Sequence, residues 1–401
     1  VMKKNAKAVW FLIFCALVFL LGAHVYSRAS NSGMKNGSSS VRISKSEAAE
    51  ASLIIAQASG AQASDAQASA KQTFVNEASL MSPKAPVTQS AQAAQTAATK
   101  QVKTKTTCFK VKFLQEALDK SCTSNPNPAI CRIATIAHLD RSEFKTARLR
   151  HPTGYITMMV HPSWDTISRD ITSKNVWESE QTNFIRSALE LLPGAGLLDV
   201  GSQLGAYSLH AAQMGRQVVA IDAFYQNSIR LFASVTANGF QDRMRVYWNA
   251  LGLKSNGKMN IALPSTCNTG GGGPASKGDT RISDFIDVRT ASLDEIAVGD
   301  GCFSGVSELV VKVDMEAQEW LVKATGAKVF KRFKVSVIMM EWIGTKMHHS
   351  DIAPDIIEFY NSHGLLPHNL VGTRLVRLGE DFKSWPWDVF WATKEFAAKK
   401  V

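Results

Sequence analysis

The fold is decided by the stretch Leu197-Leu198-Asp199-Val200-Gly201-Ser202-Gln203-Leu204-Gly205. A short, mainly apolar run leads into a loop bounded by two glycines, and residues 206–214 then have the composition of a helix. This order of strand, tight turn and helix is typical of the first unit of a parallel α/β sheet. The run lacks the alternation of a half-exposed strand, as expected when both faces are buried.

The same alternation of strand and helix continues along the chain. Further strands are predicted at 218–221, 244–248, 309–313, 335–340, 373–376 and 389–392, and helices at 228–238 and 320–330. A hairpin is predicted from 258–263 and 281–288, with Gly270–Gly273 at a mobile tip. We therefore predict an α/β fold with a mostly parallel, doubly wound sheet covered by helices on both faces.

Polar side chains end the predicted strands at one topological place. They are Asp199, Asp222, Asn249, Asp314 and Glu341. In sheets of this kind, ligands bind beyond the carboxyl ends of the strands. The pattern therefore predicts a binding site at that edge of the sheet.

The glycine loop narrows the class of ligand. Gly201 and Gly205 have the spacing G-x-x-x-G, and Gln203 stands where a dinucleotide fingerprint has its second glycine, which argues against a pyrophosphate. Asp222 lies 21 residues after Gly201, the place of a carboxylate that binds ribose hydroxyls. A ligand with ribose and adenine but no phosphate fits, and S-adenosylmethionine is such a ligand.

Three segments resemble FkbM-type methyltransferases: residues 199–208, 291–296 and 311–317, in that order. The resemblance covers about residues 188–393 and implies a Rossmann-like class I methyltransferase domain over 191–401. Ser202-Gln203 and Ala317 depart from the family's usual Ala-Asn and Gly. These departures leave a catalytically inactive binding protein with a methyltransferase fold among the alternatives.

The resemblance also implies the site residues. The cofactor site would comprise Asp199, Gly201, Ser202, Gly205, Asp222, Asn249 and Asp314. Within that set, Asp222 would bind the ribose and Asn249 would lie beside the adenine. Asp314 and Glu316 would face the methyl group, either as a base or as ligands of a divalent cation, although no dedicated metal site is indicated. Glu316 could instead cap the following helix, and His348 is a further candidate base.

The N-terminal residues predict the compartment. Lys3, Lys4 and Lys7 precede residues 8–26, which contain no charged side chain and would span about 28 Å as a helix. The positive-inside rule makes 1–7 a cytosolic tail and places the residues after Tyr26 in a lumen or outside the cell, as in a single-pass type II protein. The expected compartment is the Golgi or the endoplasmic reticulum. A cleaved signal peptide and secretion are the alternative.

Two segments separate the membrane helix from the main domain. Residues 27–107 are rich in Ala, Ser and Gln and predict a disordered stem. Residues 108–190 are predicted to be a mainly helical cap that contains Cys108, Cys122 and Cys131. A lumenal location permits disulfides, but the cysteine spacing does not define their pairing.

Composition and charge limit the classes of function. Apolar residues make up 45% and charged residues 20%, which excludes disorder over the whole length and a polytopic membrane protein. Residues 1–107 carry 12 Lys and Arg against 4 Asp and Glu, and the remaining 294 carry 33 against 30. Because the basic excess lies in the tail, a nucleic-acid partner is not expected.

The leading hypothesis is an S-adenosylmethionine-dependent O-methyltransferase that acts on a lumenal acceptor such as a glycan hydroxyl. The enzyme alternative is a membrane-anchored glycosyltransferase, for which only Asp314-Met315-Glu316 approaches the usual Asp-x-Asp pattern.

Overall fold

The computed structural model describes residues 120–122, 127–142, 144–262, 268–271, 273–274, 285–299 and 301–401. All of them lie in the unit Lys105–Val401. The membrane segment and stem predicted at 8–26 and 27–107, and Cys108 and Cys267, lie outside the described residues. Within the described part of the chain, no helix is both long and apolar enough to cross a membrane.

Strands and helices alternate through most of the chain. The strands are β1 Lys145–His151, β2 Gly154–Val160, β3 Ala195–Val200, β4 Val218–Asp222, β5 Met244–Trp248, β6 Ala250–Leu251, β7 Gly257–Ala262, β8 Phe285–Ala291, β9 Glu308–Val313, β10 Lys334–Glu341, β11 Leu365–Val371, β12 Arg374–Arg377 and β13 Asp388–Thr393. The helices are α1 Thr166–Lys174, α2 Ser179–Leu191, α3 Ala206–Gln213, α4 Tyr225–Ala237, α5 Trp320–Thr325, α6 Ala327–Arg332, α7 Ile343–His348, α8 Ala353–Ser362 and α9 Lys394–Ala397.

The central sheet has eight strands in the order β12-β11-β13-β10-β9-β3-β4-β5. The five strands from β10 to β5 are parallel, and β13, β11 and β12 continue the sheet in antiparallel fashion. From β3, the chain first adds β4 and β5 on one side of that strand. It later adds β9 and β10 on the other side of β3. A crevice therefore opens between β3 and β9, where the strand order reverses.

The parallel strands divide the apolar side chains between two cores. Leu197 and Val218 pack in one buried cluster, whereas Leu198 and Val219 pack in the other. Alternate side chains of a strand point to opposite faces, so one strand supplies both cores. The mostly parallel sheet predicted from the apolar runs is thus confirmed, with helices on both faces.

The region before the main sheet differs from the prediction. Instead of a mainly helical cap, it contains the antiparallel hairpin β1–β2, followed by α1 and α2. Ile156, Met158 and Val160 are buried at every second position, which is the period of a strand. This alternation was readable in the sequence, and a helical interpretation overlooked it.

Side chains of α4 attach the hairpin to the main domain. The N–H of Met159 donates to Ser234 Oγ at 2.8 Å, and the N–H of Thr157 donates to Asn238 Oδ1 at 3.0 Å. The outer edge of β2 therefore finds hydrogen-bond partners on a helix rather than on another strand.

A single helix predicted at 320–330 is two helices, because the chain breaks at Gly326. A Cβ at this position would lie 2.6 Å from the carbonyl oxygen of Val322, so the close turn needs glycine. The following helix α6 receives its N-terminal cap from a distant residue. Both carboxylate oxygens of Asp294 accept hydrogen bonds, from the N–H groups of Lys328 and Val329.

We expect Asp294→Ala to lower the free energy of unfolding by about 1–2 kcal/mol, because the substitution leaves two N-terminal N–H groups of α6 without their acceptor. Urea denaturation followed by circular dichroism measures the loss. Asp294→Asn keeps one acceptor oxygen and should lose less. An unchanged unfolding midpoint in Asp294→Ala would contradict this capping role.

Candidate active site

A cleft of ≈ 310 Å³ lies at the carboxyl ends of β3, β4, β9 and β10. Asp222, Asn249, Asp314 and Glu341, which the sequence placed at strand ends, all line it. Gly201, Ser202 and Glu316 line it as well. The parallel sheet therefore brings together most of the residues that the sequence singled out.

The two glycines of the loop after β3 are required by packing. Gly201 has φ +78°, and a Cβ there would lie 1.6 Å from the carbonyl oxygen of Asp314. Gly205 has φ +80°, and a Cβ would lie 2.1 Å from Leu231 Cδ1. Gly205 itself is not among the residues that line the cleft. The loop thus needs glycine for close approach to β9 and α4.

Four of the five backbone N–H groups from Gly201 to Gly205 have acceptors within the protein. Those of Gly201 and Ser202 both donate to the carbonyl of Ile221, and that of Gly205 donates to the carbonyl of Ser202. The N–H of Gln203 donates to Asp222 Oδ2 at 2.7 Å. A phosphate-binding loop instead directs uncommitted N–H groups at the anion. This loop is therefore unsuited to a phosphate.

A buried lysine connects the loop to the strands beneath it. Lys312 Nζ donates to the carbonyl of Gly201 at 2.6 Å, and lies 3.3 Å from Asp314 Oδ2 and 3.9 Å from Asp199 Oδ1. Burial alone would lower the pKa of Lys312, but the carboxylates of Asp314 and Asp199 raise it above its ordinary value. The lysine is thus held in its charged form, with its charge neutralised within the protein.

Asp199 lies behind the cleft and does not line it. It is fully buried, and its Oδ2 accepts a hydrogen bond from Ser208 Oγ at 2.6 Å. Burial raises the pKa of Asp199, and the nearby Lys312 opposes that rise. The direct contact with the cofactor that the resemblance implies is therefore replaced by a role in positioning Lys312 and α3.

Asp222 lies in the cleft at the end of β4. Its carboxylate accepts hydrogen bonds from the N–H groups of Gln203 and Phe224, both at 2.7 Å. Burial raises the pKa of Asp222 to about 6, although these two donors lower it in part. Since a carboxylate offers about four lone-pair sites, two remain for the hydroxyls of a ligand.

Asn249 lines the cleft, but its amide is committed to the backbone. Its Nδ2 donates to the carbonyls of Ala129 and Arg289, at 2.7 and 3.2 Å, and its Oδ1 accepts from the N–H of Cys131 at 2.9 Å. Cys131 forms a disulfide with Cys122. Asn249 thus ties the segment around Cys131 to the end of β5.

Carboxylates dominate the part of the cleft near β9 and β10. Burial, followed by repulsion from Asp314, raises the pKa of Glu341 to about 7. The same two causes raise the pKa of Glu316 to about 8, although part of the Glu316 side chain is exposed to solvent. Glu319, rather than Glu316, accepts the N–H of Met315, at 2.9 Å. The N-cap residue of the following helix, α5, is Glu319, and no side chain of the described residues caps that helix. Glu316 therefore does not cap α5, and it lines the cleft.

Backbone strain coincides with the cleft. Glu178, Gln203 and Glu316 have φ of +39°, +52° and +52°, and all three line it. Ala317 follows Glu316 and has φ +70°. A left-handed conformation costs a non-glycine residue roughly 1 kcal/mol, and such strain clusters at functional sites.

His348 does not belong to the site. It is exposed at the end of α7, and it lines neither the cleft nor the other cavities found among the described residues. The helix after β10 carries it toward solvent, so the structure gives no support for a catalytic base at this position.

The segment predicted as a mobile hairpin tip contributes to the cleft. Asn268, Thr269 and Gly270 line it. Buried Asp165 holds this segment, since its Oδ1 accepts from the N–H and Oγ1 of Thr269, at 2.9 and 3.1 Å. The sequence separation of 104 residues explains why no local pattern indicated the contact.

Other site residues were also missed by sequence reasoning. They are Glu178, Gln203, Tyr207 and Lys312 in the cleft. Lys312 alone had a readable signal, as the one charged residue in the otherwise apolar run 309–313. The Tyr207 hydroxyl donates to the Glu178 carboxylate, which comes from a different part of the chain. Among the described residues, no group of three or more His, Cys, Asp or Glu is arranged to hold a metal ion.

Glu316→Gln tests the electrostatics of the cleft. The pKa of Glu316 is about 8 in the folded protein against an ordinary 4.5, so the stability that this group contributes is present below pH 4.5 and lost as the pH rises through 8. We expect wild type to lose unfolding free energy relative to Glu316→Gln between about pH 5 and pH 9. Urea denaturation at fixed ionic strength measures this difference.

The control is Glu358→Gln, which removes the same charge from a position on α8 outside the cleft; Glu316 and Glu358 are both exposed, but only Glu316 lines the cleft. This variant should follow the pH dependence of wild type. If Glu316→Gln also follows it, the carboxyl group of Glu316 is not destabilised by its surroundings.

Comparisons with known proteins give a likeness to solved methyltransferase structures only. No family model and no curated protein matches the chain. A putative RNA methyltransferase from Pyrococcus horikoshii is 11% identical, with a TM-score of 0.27, over 54% of this chain and 84% of that one. An S-adenosylmethionine-dependent O-methyltransferase from Thermotoga maritima is 12% identical, with a TM-score of 0.29, over 61% and 77%.

A third solved structure is the magnesium protoporphyrin IX methyltransferase from Synechocystis with bound S-adenosylhomocysteine. It is 10% identical, with a TM-score of 0.28, over 57% of this chain and 85% of that one. At such identities and TM-scores, similarity assigns no function to this chain. The function therefore has to follow from the chemistry of the cleft.

Proposed function

We propose that this protein is an S-adenosylmethionine-dependent methyltransferase of the FkbM type. The observation that carries the proposal is that most backbone N–H groups of the glycine loop already donate hydrogen bonds within the protein. Its N–H groups at Gly201, Ser202, Gln203 and Gly205 already have acceptors, and Asp222 offers its remaining lone pairs to the cleft. This arrangement suits a nucleoside without a phosphate at the ribose end.

The charge of the cleft supports a cationic ligand. The charged side chains that line it in the described part of the chain are Glu178, Asp222, Lys312, Asp314, Glu316 and Glu341. Five are carboxylates, and the lysine is neutralised by its own partners. S-Adenosylmethionine carries a sulfonium and an ammonium against one carboxylate, so its net positive charge would relieve the repulsion among these carboxylates.

The same features disfavour the alternative of a glycosyltransferase. A nucleotide sugar brings a diphosphate, which repels carboxylates unless cations intervene. Lys312 is committed to Gly201 and Asp314 and is not available to bind it. A catalytically inactive binding protein remains the second candidate, because Ala317 keeps a strained conformation at the place of the family's glycine.

Within this function, the residues of the chain have separate roles. Asp222 would bind the ribose hydroxyls, and the loop from Gly201 to Gly205 would hold the methionine part of the cofactor. The cofactor supplies an activated methyl group. Glu341 and Glu316 lie where an acceptor hydroxyl needs a base, and their raised pKa values suit proton transfer near neutral pH.

We propose further that the acceptor is an oxygen, such as a glycan hydroxyl, in the lumen of the Golgi or endoplasmic reticulum. Support comes from the uncharged residues 8–26 after three lysines, which favour a type II membrane anchor. The disulfide between Cys122 and Cys131 is in keeping with an oxidising compartment.

Isothermal titration with S-adenosylhomocysteine and with nucleotide sugars tests the cofactor. We expect S-adenosylhomocysteine to bind and nucleotide sugars not to bind. Asp222→Ala should weaken the binding at least about tenfold, since two charge-assisted hydrogen bonds to the ribose are lost. Unchanged affinity in this variant would show that Asp222 is not the ribose ligand.

Asp294→Ala is the matched control for this variant. Asp222 and Asp294 each accept two backbone N–H groups, so their replacement removes similar structural hydrogen bonds. Both variants should lose stability, but only Asp222→Ala should lose affinity. Binding of S-adenosylhomocysteine without methyl transfer to any acceptor would favour the inactive binding protein.

The membrane anchor has its own test. The chain expressed in cells should sediment with membranes and resist carbonate extraction, because a helix inserted in the bilayer is not released by alkali. Its C-terminus should be protected from protease in sealed vesicles. A secreted product that begins near Ser27 would identify residues 8–26 as a cleaved signal peptide instead.

A further inference from the structure

A second cavity of ≈ 240 Å³ adjoins the cleft. Both are lined by Glu178, Tyr207, Lys312, Asp314 and Glu341. The residues that line only the second cavity are Gln181, Val313, Met339, Trp387 and Asp388. Since the two spaces share part of their walls, a molecule in the second cavity would lie next to the ligand of the cleft.

Trp387 presents an open aromatic surface at this cavity. Its indole N–H donates to Glu341 Oε1 at 2.9 Å, and its carbonyl accepts the N–H groups of Trp342 and Ile343. The residue is nevertheless 63% exposed. A large aromatic side chain that is held at its edge and backbone, but left uncovered, can receive a cation or the flat side of a ring.

The charge of the second cavity favours a cation as the group that contacts Trp387. Glu178, Asp314, Glu341 and Asp388 surround it against one cation, Lys312, which is bound to Gly201 and Asp314. Burial is the first cause that raises the pKa of Glu178, Glu341 and Asp388, and repulsion from Asp314 adds to the rise for each. A positive group would therefore be attracted here, and a phosphate or sulfate would be repelled.

We propose that the second cavity is the acceptor site, and that it binds an amine-bearing sugar whose ammonium lies between Asp388 and the face of Trp387. This inference rests on the proposed function, which it deepens by naming the class of acceptor. An ammonium has no lone pair with which to attack the methyl group. The ammonium is therefore the recognition group, and the reacting atom is a hydroxyl oxygen of the same sugar.

The chemical step assigns a role to Glu341, which lines both spaces. Its carboxylate takes the proton of the acceptor hydroxyl as the oxygen forms a bond to the methyl carbon. The carbon–sulfur bond breaks, and its electron pair stays on sulfur. The products are a methyl ether and S-adenosylhomocysteine, and the proton on Glu341 then passes to water.

A series of sugars that share one ring and differ in charge tests the acceptor class. The probes are methyl glucosaminide, methyl N-acetylglucosaminide and glucose 6-phosphate, titrated into the protein saturated with S-adenosylhomocysteine. We expect the glucosaminide to bind about tenfold tighter than the neutral amide, through the carboxylate and the aromatic face. The phosphate should not bind measurably.

Asp388→Asn assigns the preference to a residue. Asp388 accepts Gln181 Nε2 at 3.0 Å, and the amide of asparagine can keep this bond while removing the charge. In Asp388→Asn, the affinity for the glucosaminide should fall to that for the neutral sugar. The affinity for the neutral sugar itself should not change. Asp355→Asn, an exposed carboxylate on α8, is the control and should keep the preference.

The outcomes separate the acceptor proposal from the cofactor proposal. If S-adenosylhomocysteine binds but the charged and neutral sugars bind alike, or the phosphate binds best, the amine-bearing acceptor is overturned and the cofactor assignment stands. The same holds if Asp388→Asn leaves the preference intact. If S-adenosylhomocysteine does not bind to the wild-type protein, the proposed function is overturned, and the acceptor role with it.

Discussion

The site depends on one buried cation. Lys312 Nζ is held by the carbonyl of Gly201 and by the carboxylates of Asp314 and Asp199. These contacts join the end of β3 to the end of β9, the two strands between which the sheet reverses its order. Removal of one partner from a buried ion pair generally costs about 3–5 kcal/mol, because the other charge is left uncompensated. The crevice therefore keeps its shape only while this lysine remains in place.

The neutralised lysine also sets the charge of the cleft. Lys312, which pairs with Asp199 and Asp314, is the one cation among the described residues that line the two cavities. The other described lining carboxylates have no ion pair with a lining residue. The cost appears as raised pKa values at Asp222, Glu316 and Glu341, for each of which burial is the largest cause. Under the proposed function, a positively charged ligand would reduce the repulsion among these carboxylates.

Two buried polar groups hold backbone segments in place: Asn249, which lines the cleft, and Asp165, which lies behind it. Asn249 uses its amide to hold the segment around Cys131, and Asp165 holds Thr269. Both are buried, and both connect parts of the chain that are more than 100 residues apart. Buried polar groups that are fully hydrogen-bonded make a structure rigid and specific. The walls of the cleft are thus fixed before a ligand enters it.

The sequence alone indicated the five parallel strands of the main sheet, whereas strand β11 was not predicted. The apolar runs from Leu197 to Met340 and the loop at Gly201 specify parallel strands, and parallel strands bring their carboxyl ends to one edge. Asp222, Asn249, Asp314 and Glu341 could therefore be assigned to one site without coordinates. The hairpin β1–β2 was also within reach, because its alternation is local, but it was interpreted as helix.

Only the tertiary structure decided what each polar group does. The sequence places Asp199 and Asn249 at strand ends, but not the partners that take up their side chains. The sequence also does not predict that Trp387 contacts Glu341, because the two residues are 46 positions apart in the chain. Local patterns report which face of an element is apolar, whereas hydrogen bonds and charge pairs depend on distances between distant segments. The position of a site can therefore be predicted from the pattern of strands. The chemical role of each residue depends on contacts that form only in the folded protein.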